Sequence, residues 1–334
     1  MLSRLYMLFL AFCQLCLAAE IVPRATFSEV TGFGANPTNT KMYLWVPNNL
    51  APNPAIVVGI HWCSGNAQAY YQGSNWARLS ETYGYIVIYP STAYTASNCW
   101  DVSSQKTLTR GAGGNSDSIA NMVKYVTAQY GADASRVFVT GISSGAMMTA
   151  GIAYAGVPAG CFSVGTTEAG WNSTCANGQS ITTPEHWAAI ARAMAPGYTG
   201  RRPRMQVYHG DQDAVVFPQN YYETVKQWAG IFGYSTTPQQ TISNFPRSPY
   251  NKYVFGPNLE PQDPRDIDSR PYKHDKVDDH VNSGPASADH HRHPHYRRHD
   301  DSSADHYGLC ASKALGPVRR PELERPNSWF HQCL

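Results

Sequence analysis

Up to about residue 259, apolar residues fall in short, nearly unbroken runs. Lys41 to Val46, Ala55 to Trp62, Tyr85 to Tyr89, Arg136 to Gly141, Gly151 to Gly156 and Arg204 to His209 each read as a strand. The run from Ala55 to Ile60 shows no polar alternation, which predicts a strand covered on both faces. Helical spacing intervenes. Asn115, Ser116 and Asp117 cap the run Ile119 to Tyr130, and Gly131 stops it. Thr183 is a good N-cap, with Pro184 in the first turn of a helix reaching Met194. Pro218 to Phe232 is a third helix. Alternating strands and helices predict an α/β fold with a mainly parallel sheet.

The pattern stops abruptly. Residues 261–334 are rich in Asp, His, Arg, Pro and Ser, and the stretch from Asp289 to His295 is low-complexity. Such a segment buries too little surface to offset its ordering entropy, so a disordered tail is expected. Its clustered imidazoles could bind Zn²⁺ or Cu²⁺. A solvated tail with incidental metal affinity is the plainer reading, so no metal site or cofactor is expected. At the other end, Arg4 precedes an apolar run from Leu5 to Leu17, and Cys16 to Ala19 offers small residues for cleavage. That predicts a signal peptide over 1–19 and a secreted protein. The run is shorter than the roughly 20 residues of a spanning helix, so no membrane association is expected.

Eight cysteines then acquire a meaning. Cys13 and Cys16 leave with the signal, and none of the rest shows C-x-x-C metal spacing. In a secreted chain they are disulfide candidates. Cys63 with Cys99, and Cys161 with Cys175, are the expected pairs, although spacing leaves the connectivity open. Asn172-Ser173-Thr174 is an N-glycosylation sequon. The net charge of +2 implies no polyanionic partner such as nucleic acid.

The chemistry lies in Gly141-Ile142-Ser143-Ser144-Gly145, a G-x-S-x-G directly after an apolar strand. That context marks a nucleophile elbow, with Ser143 at its tip. The elbow turns the N–H of Ser144 toward a developing oxyanion. A second donor is expected from the loop after an earlier central strand, at Cys63. His61 is a tempting base, but in this topology the base comes last in the chain, so it reads as a loop-shaping residue. The orienting acid should follow a later strand. Asp213 is the choice and Asp211 the runner-up.

These stretches resemble the fungal acetylxylan and feruloyl esterases of carbohydrate esterase family one, which lie close to the poly(3-hydroxybutyrate) depolymerase-like esterases. The matching residues include Ala55 to Cys63, Cys99 to Val102, Gly114 to Met122, Val137 to Met148, Trp171 to Cys175, Thr182 to Trp187, Tyr208 to Gly210 and Asp213. The resemblance implies an α/β-hydrolase domain over 20–260 that removes acetyl groups from xylan. Feruloyl or hydroxybutyrate-type esters are the alternative substrates. It implies Ser143 as nucleophile, Asp213 as acid and Trp171 as a wall of the substrate site. A monomer acting on acetylated cell-wall polysaccharide is expected.

Two departures stand out. The link from Ser144 to Ala150 reads as too short for a crossover between parallel strands. After Leu259 no Gly-His-Thr-like motif supplies the family's histidine. Coding residues skipped near Ala150, and frameshifted or non-coding sequence after Glu260, would account for both. A transcript encoding both junctions as written would exclude that. Without its base, the chain is expected to turn over weakly, or to be an inactive sugar-binding relative.

Overall fold

A computed structural model describes residues 23–94, 97–149 and 151–256, together with the backbone of 309–314. The strands are β1 (Ser28–Val30), β2 (Lys41–Trp45), β3 (Ile56–Ile60), β4 (Ile86–Ser91), β5 (Val137–Ile142), β6 (Ile152–Tyr154), β7 (Gln206–Gly210), β8 (Gln240–Ser243), β9 (Tyr250–Phe255) and β10 (Leu309–Ala314). The helices are α1 (Ala67–Gly73), α2 (Trp76–Tyr83), α3 (Gln105–Leu108), α4 (Asn115–Tyr130), α5 (Ser144–Met147), α6 (Ser173–Ala176), α7 (Pro184–Ala193) and α8 (Gln219–Phe232). All strands join one sheet in the order β1-β2-β4-β3-β5-β6-β7-β10-β9-β8. From β4 to β10 every pairing is parallel, and antiparallel strands flank this block on both sides.

The expected centre of the fold is present. Every residue of β3 and β4 is buried, as expected of a sheet covered on both faces. Ile56, Val58 and Ile60 pack on one side with Met122 and Val126 of α4. Val57 and Val87 pack on the other with Tyr70 of α1. The Thr183 hydroxyl accepts the His186 N–H and caps α7. Gly131 closes α4 in the left-handed conformation that glycine tolerates best.

Two expectations need correcting. The link after β5 is long enough. Ile152, Ala153 and Tyr154 pair with Thr140, Gly141 and Ile142, the last three residues of β5. The chain therefore drops back by only three residues, roughly 7–10 Å along the strand, and the single turn of α5 suffices. A Cβ at Gly151 would lie 2.3 Å from the Val139 carbonyl oxygen, so this tight return depends on glycine. The second correction concerns the tail expected to be disordered. Residues 309–314 form β10, which pairs in parallel with β7 and antiparallel with β9. Its backbone groups meet a strand on either side, which satisfies their hydrogen-bonding capacity. The remainder of 261–334 and residues 1–19, where a signal peptide is expected, lie outside the described residues.

Candidate active site

β3, β5, β6 and β7 run parallel, so the loops that follow them open on the same edge of the sheet. Ser143 stands directly after β5 with φ 52° and ψ −120°. A residue with a Cβ is strained there, and such strain concentrates at functional positions. The chain reverses so tightly that its flanks must be glycine. A Cβ on Gly141 would lie 2.3 Å from the Gly145 carbonyl oxygen. One on Gly145 would lie 2.3 Å from the Ile60 carbonyl oxygen and 2.4 Å from that of His61. α5 is thus seated on β5 and against the end of β3. The N–H of Ser144 belongs to the first turn of α5, where a helix leaves its donors without intrahelical partners.

The loop facing this turn is heavily tethered. Cys63 is bonded to Cys99, and Cys161 to Cys175, as expected. The Ser64 N–H donates to the Ser97 carbonyl at 2.7 Å. Trp100 donates from Nε1 to the His61 carbonyl at 2.9 Å, and its N–H lies 3.5 Å from the Ser144 Oγ. His61 is fully buried and uses both ring nitrogens: Nδ1 donates to the Trp62 carbonyl at 2.7 Å, and Nε2 accepts the Thr92 N–H at 3.2 Å. Burial lowers its pKa to about 4, with the bond to Trp62 working the other way. His61 is therefore neutral and occupied, a loop-shaping residue as expected.

Asp213 follows β7. Its Oδ1 accepts the N–H groups of Val215 and Val216, each at 2.9 Å. Its Oδ2 lies 3.6 Å from the His209 Nε2, longer than a hydrogen bond. That nitrogen is engaged by the Val216 carbonyl at 2.7 Å. One carboxylate oxygen of Asp213 thus shapes its own turn while the other is less committed. Asp211 differs: its Oδ1 is buried with no hydrogen-bond partner among the described residues. His186 sits on the exposed side of α7. The nine histidines from His274 onward lie outside the described residues.

Trp171 is 54% exposed, edge-on to Phe162 with ring centroids 5.2 Å apart. The loop carrying it is held by a residue to which no role was assigned from sequence. Asp101 is almost wholly buried. Its Oδ1 accepts the N–H groups of Ser103, Ser104 and Ala169, and its Oδ2 the hydroxyls of Ser104 and Thr107. Burial alone would raise its pKa. The hydrogen bonds from Ser104, Ala169 and Ser103 outweigh burial and hold it below the usual value. The Ser103 Oγ reaches the Gly170 N–H at 2.8 Å. Asp101 thereby ties the Trp171 loop to the Trp100 segment, and the Trp100 N–H faces the Ser144 Oγ of the elbow at 3.5 Å. The sequence signal was an acid followed by Ser103, Ser104 and Thr107, an Asx-type run of local donors. The sequon residue Asn172 caps α6, its Oδ1 accepting the Cys175 N–H and its Nδ2 donating to the Cys161 carbonyl.

The chain is similar over most of its length to known esterases. Residues 40–180 match the family described as esterase PHB depolymerase. A probable acetylxylan esterase A of Aspergillus flavus is 57% identical over 277 residues, covering 76% of this chain and 90% of that protein. The acetylxylan esterase A of Emericella nidulans is 60% identical over 247 residues, covering 70% and 81%. Among solved structures, the acetyl xylan esterase from Aspergillus awamori superposes with a TM-score of 0.68 at 56% identity, covering 70% of this chain and 89% of that one.

Proposed function

The chain belongs to the fungal acetylxylan esterase family, and from that membership we propose a secreted serine esterase that removes acetyl groups from xylan. Residues 20–260 are its catalytic domain. The observation that carries the reading is the strained Ser143 between two glycines that admit no side chain. Ser143 Oγ attacks the acetyl carbonyl as its proton passes to a base. The N–H groups of Ser144 and Cys63 hold the oxyanion. Collapse breaks the bond to the sugar oxygen, which leaves as a hydroxyl by taking that proton from the base, and acetyl-Ser143 remains. Water then attacks this ester and releases acetate. Asp213 orients the base, and Trp171 offers a flat face to the sugar chain.

His61 and His209 are committed to backbone partners, and His186 is at the surface. The base therefore comes from residues beyond 256 or is missing, and the two cases differ by orders of magnitude in rate. Purified chain and Ser143→Ala are compared on p-nitrophenyl acetate and acetylated xylan. Acetate release that vanishes in Ser143→Ala supports the reading. Measurable release that is equal in both overturns it.

A further inference from the structure

The geometry points to His61 as a positioning residue for the oxyanion hole, acting through the Trp62–Cys63 peptide. This rests on the reading of Ser143 as nucleophile. A trans peptide is planar, with its C=O and N–H pointing in opposite directions. Whatever holds the Trp62 carbonyl therefore aims the Cys63 N–H. Two donors hold it: His61 Nδ1 at 2.7 Å and the Gly65 N–H at 3.0 Å. The Cys63–Cys99 bond anchors the next Cα. The segment is pressed on the elbow, since Gly145 leaves no room for a Cβ beside the His61 carbonyl.

His61 is itself locked. Its Nε2 accepts the Thr92 N–H, so in the neutral ring the proton resides on Nδ1, the nitrogen that grips Trp62. Its ring lies 4.9 Å from that of Trp100, whose Nε1 donates to the His61 carbonyl. A histidine that merely filled space would need neither the fixed tautomer nor the grip on the peptide preceding Cys63. An oxyanion donor acts most strongly in the transition state. Misaiming it therefore lowers kcat and leaves KM alone.

The test uses the full chain carrying His61→Asn or His61→Gln. The Asn amide nitrogen falls near the place of Nδ1 and keeps the grip on Trp62. The Gln head group falls near Nε2 and loses it. Kinetics on p-nitrophenyl acetate are paired with the dissociation constant of phenylboronic acid, whose tetrahedral adduct with a serine places an oxygen in the hole and needs no turnover. His61→Asn should keep kcat within about threefold of wild type. His61→Gln should lose about 100-fold in kcat at unchanged KM, with a comparable loss of boronate affinity. Equal losses in the two variants, or a loss confined to KM, would overturn the assignment. Trp100→Phe gives the same reading should His61→Gln not fold. It removes the Nε1 donor to the His61 carbonyl, and kcat should fall about tenfold at constant KM. A wild-type kcat there counts against His61. Boronate binding that persists in Ser143→Ala refutes the nucleophile instead, which separates the two failures.

Discussion

Asp101→Ala removes the anchor that joins the Trp100 segment to the Trp171 loop. Three of the donors to Asp101 are backbone N–H groups, those of Ser103, Ser104 and Ala169, and they cannot turn away. The hydroxyls of Ser104 and Thr107 can rotate to other acceptors, and the Ser103 Oγ already reaches the Thr167 carbonyl at 2.7 Å. Each stranded buried N–H costs about 1–3 kcal/mol, and partial entry of water brings the total to about 4 kcal/mol. For a domain of this size that lowers Tm by about 8–16 °C. Asp101→Asn keeps a carbonyl oxygen for the three N–H groups and should cost about 1–2 kcal/mol. The sign with pH follows from the lowered folded pKa. The stabilisation is complete above the unfolded value of 3.8 and is lost as pH falls through the folded one. Differential scanning calorimetry from pH 7 down to pH 3 measures both effects. A Tm for Asp101→Ala within about 2 °C of wild type at pH 7 would refute the anchor, as would equal losses in Ala and Asn.

Gly145→Ala drives a methyl into the Ile60 and His61 carbonyls, and should cost about 3 kcal/mol or more, read as lost soluble yield or a Tm drop of about 10 °C. Cys63→Ser with Cys99→Ser opens a bridge spanning 36 residues, worth about 4 kcal/mol by loop entropy, and should also lower kcat by loosening Cys63. Asp213→Asn can still accept the Val215 and Val216 N–H groups, so Tm should stay nearly constant while the esterase rate drops by about 10³–10⁴. A fall in Tm without that rate loss would make Asp213 structural. At His61 the folded pKa is lowered from 6.5 to about 4, so its contribution to stability is complete above pH 6.5 and lost as pH falls toward 4. Thermal melts across that window should show a shallower pH slope in His61→Asn.

The six central strands are legible in the sequence because each side of the sheet demands apolar residues, which leaves unbroken runs at β3 and β4. β1, β8 and β9 are not legible. β8 is mostly exposed, and its Gln240–Ser243 stretch is mainly polar. β10 is harder still, since its place depends on free backbone edges of β7 and β9 that local composition does not reveal. The crossover after the elbow is not legible either, for a related reason. Its required length depends on where β6 pairs along β5, and that register is not written in residues 144–150.

The elbow is a matter of a few neighbouring residues. Gly141, Ser143 and Gly145 carry their own backbone constraints, so the reaction class follows from sequence alone. The remaining parts depend on groups far apart in the chain. His61 could have been a base or a brace until Thr92, 31 residues away, occupied its second nitrogen. Asp101 gained a role only when Ala169 folded onto it from 68 residues away. Local steric rules are encoded in adjacent residues. The partner that satisfies a buried polar atom is chosen by packing, and only the tertiary structure decides it.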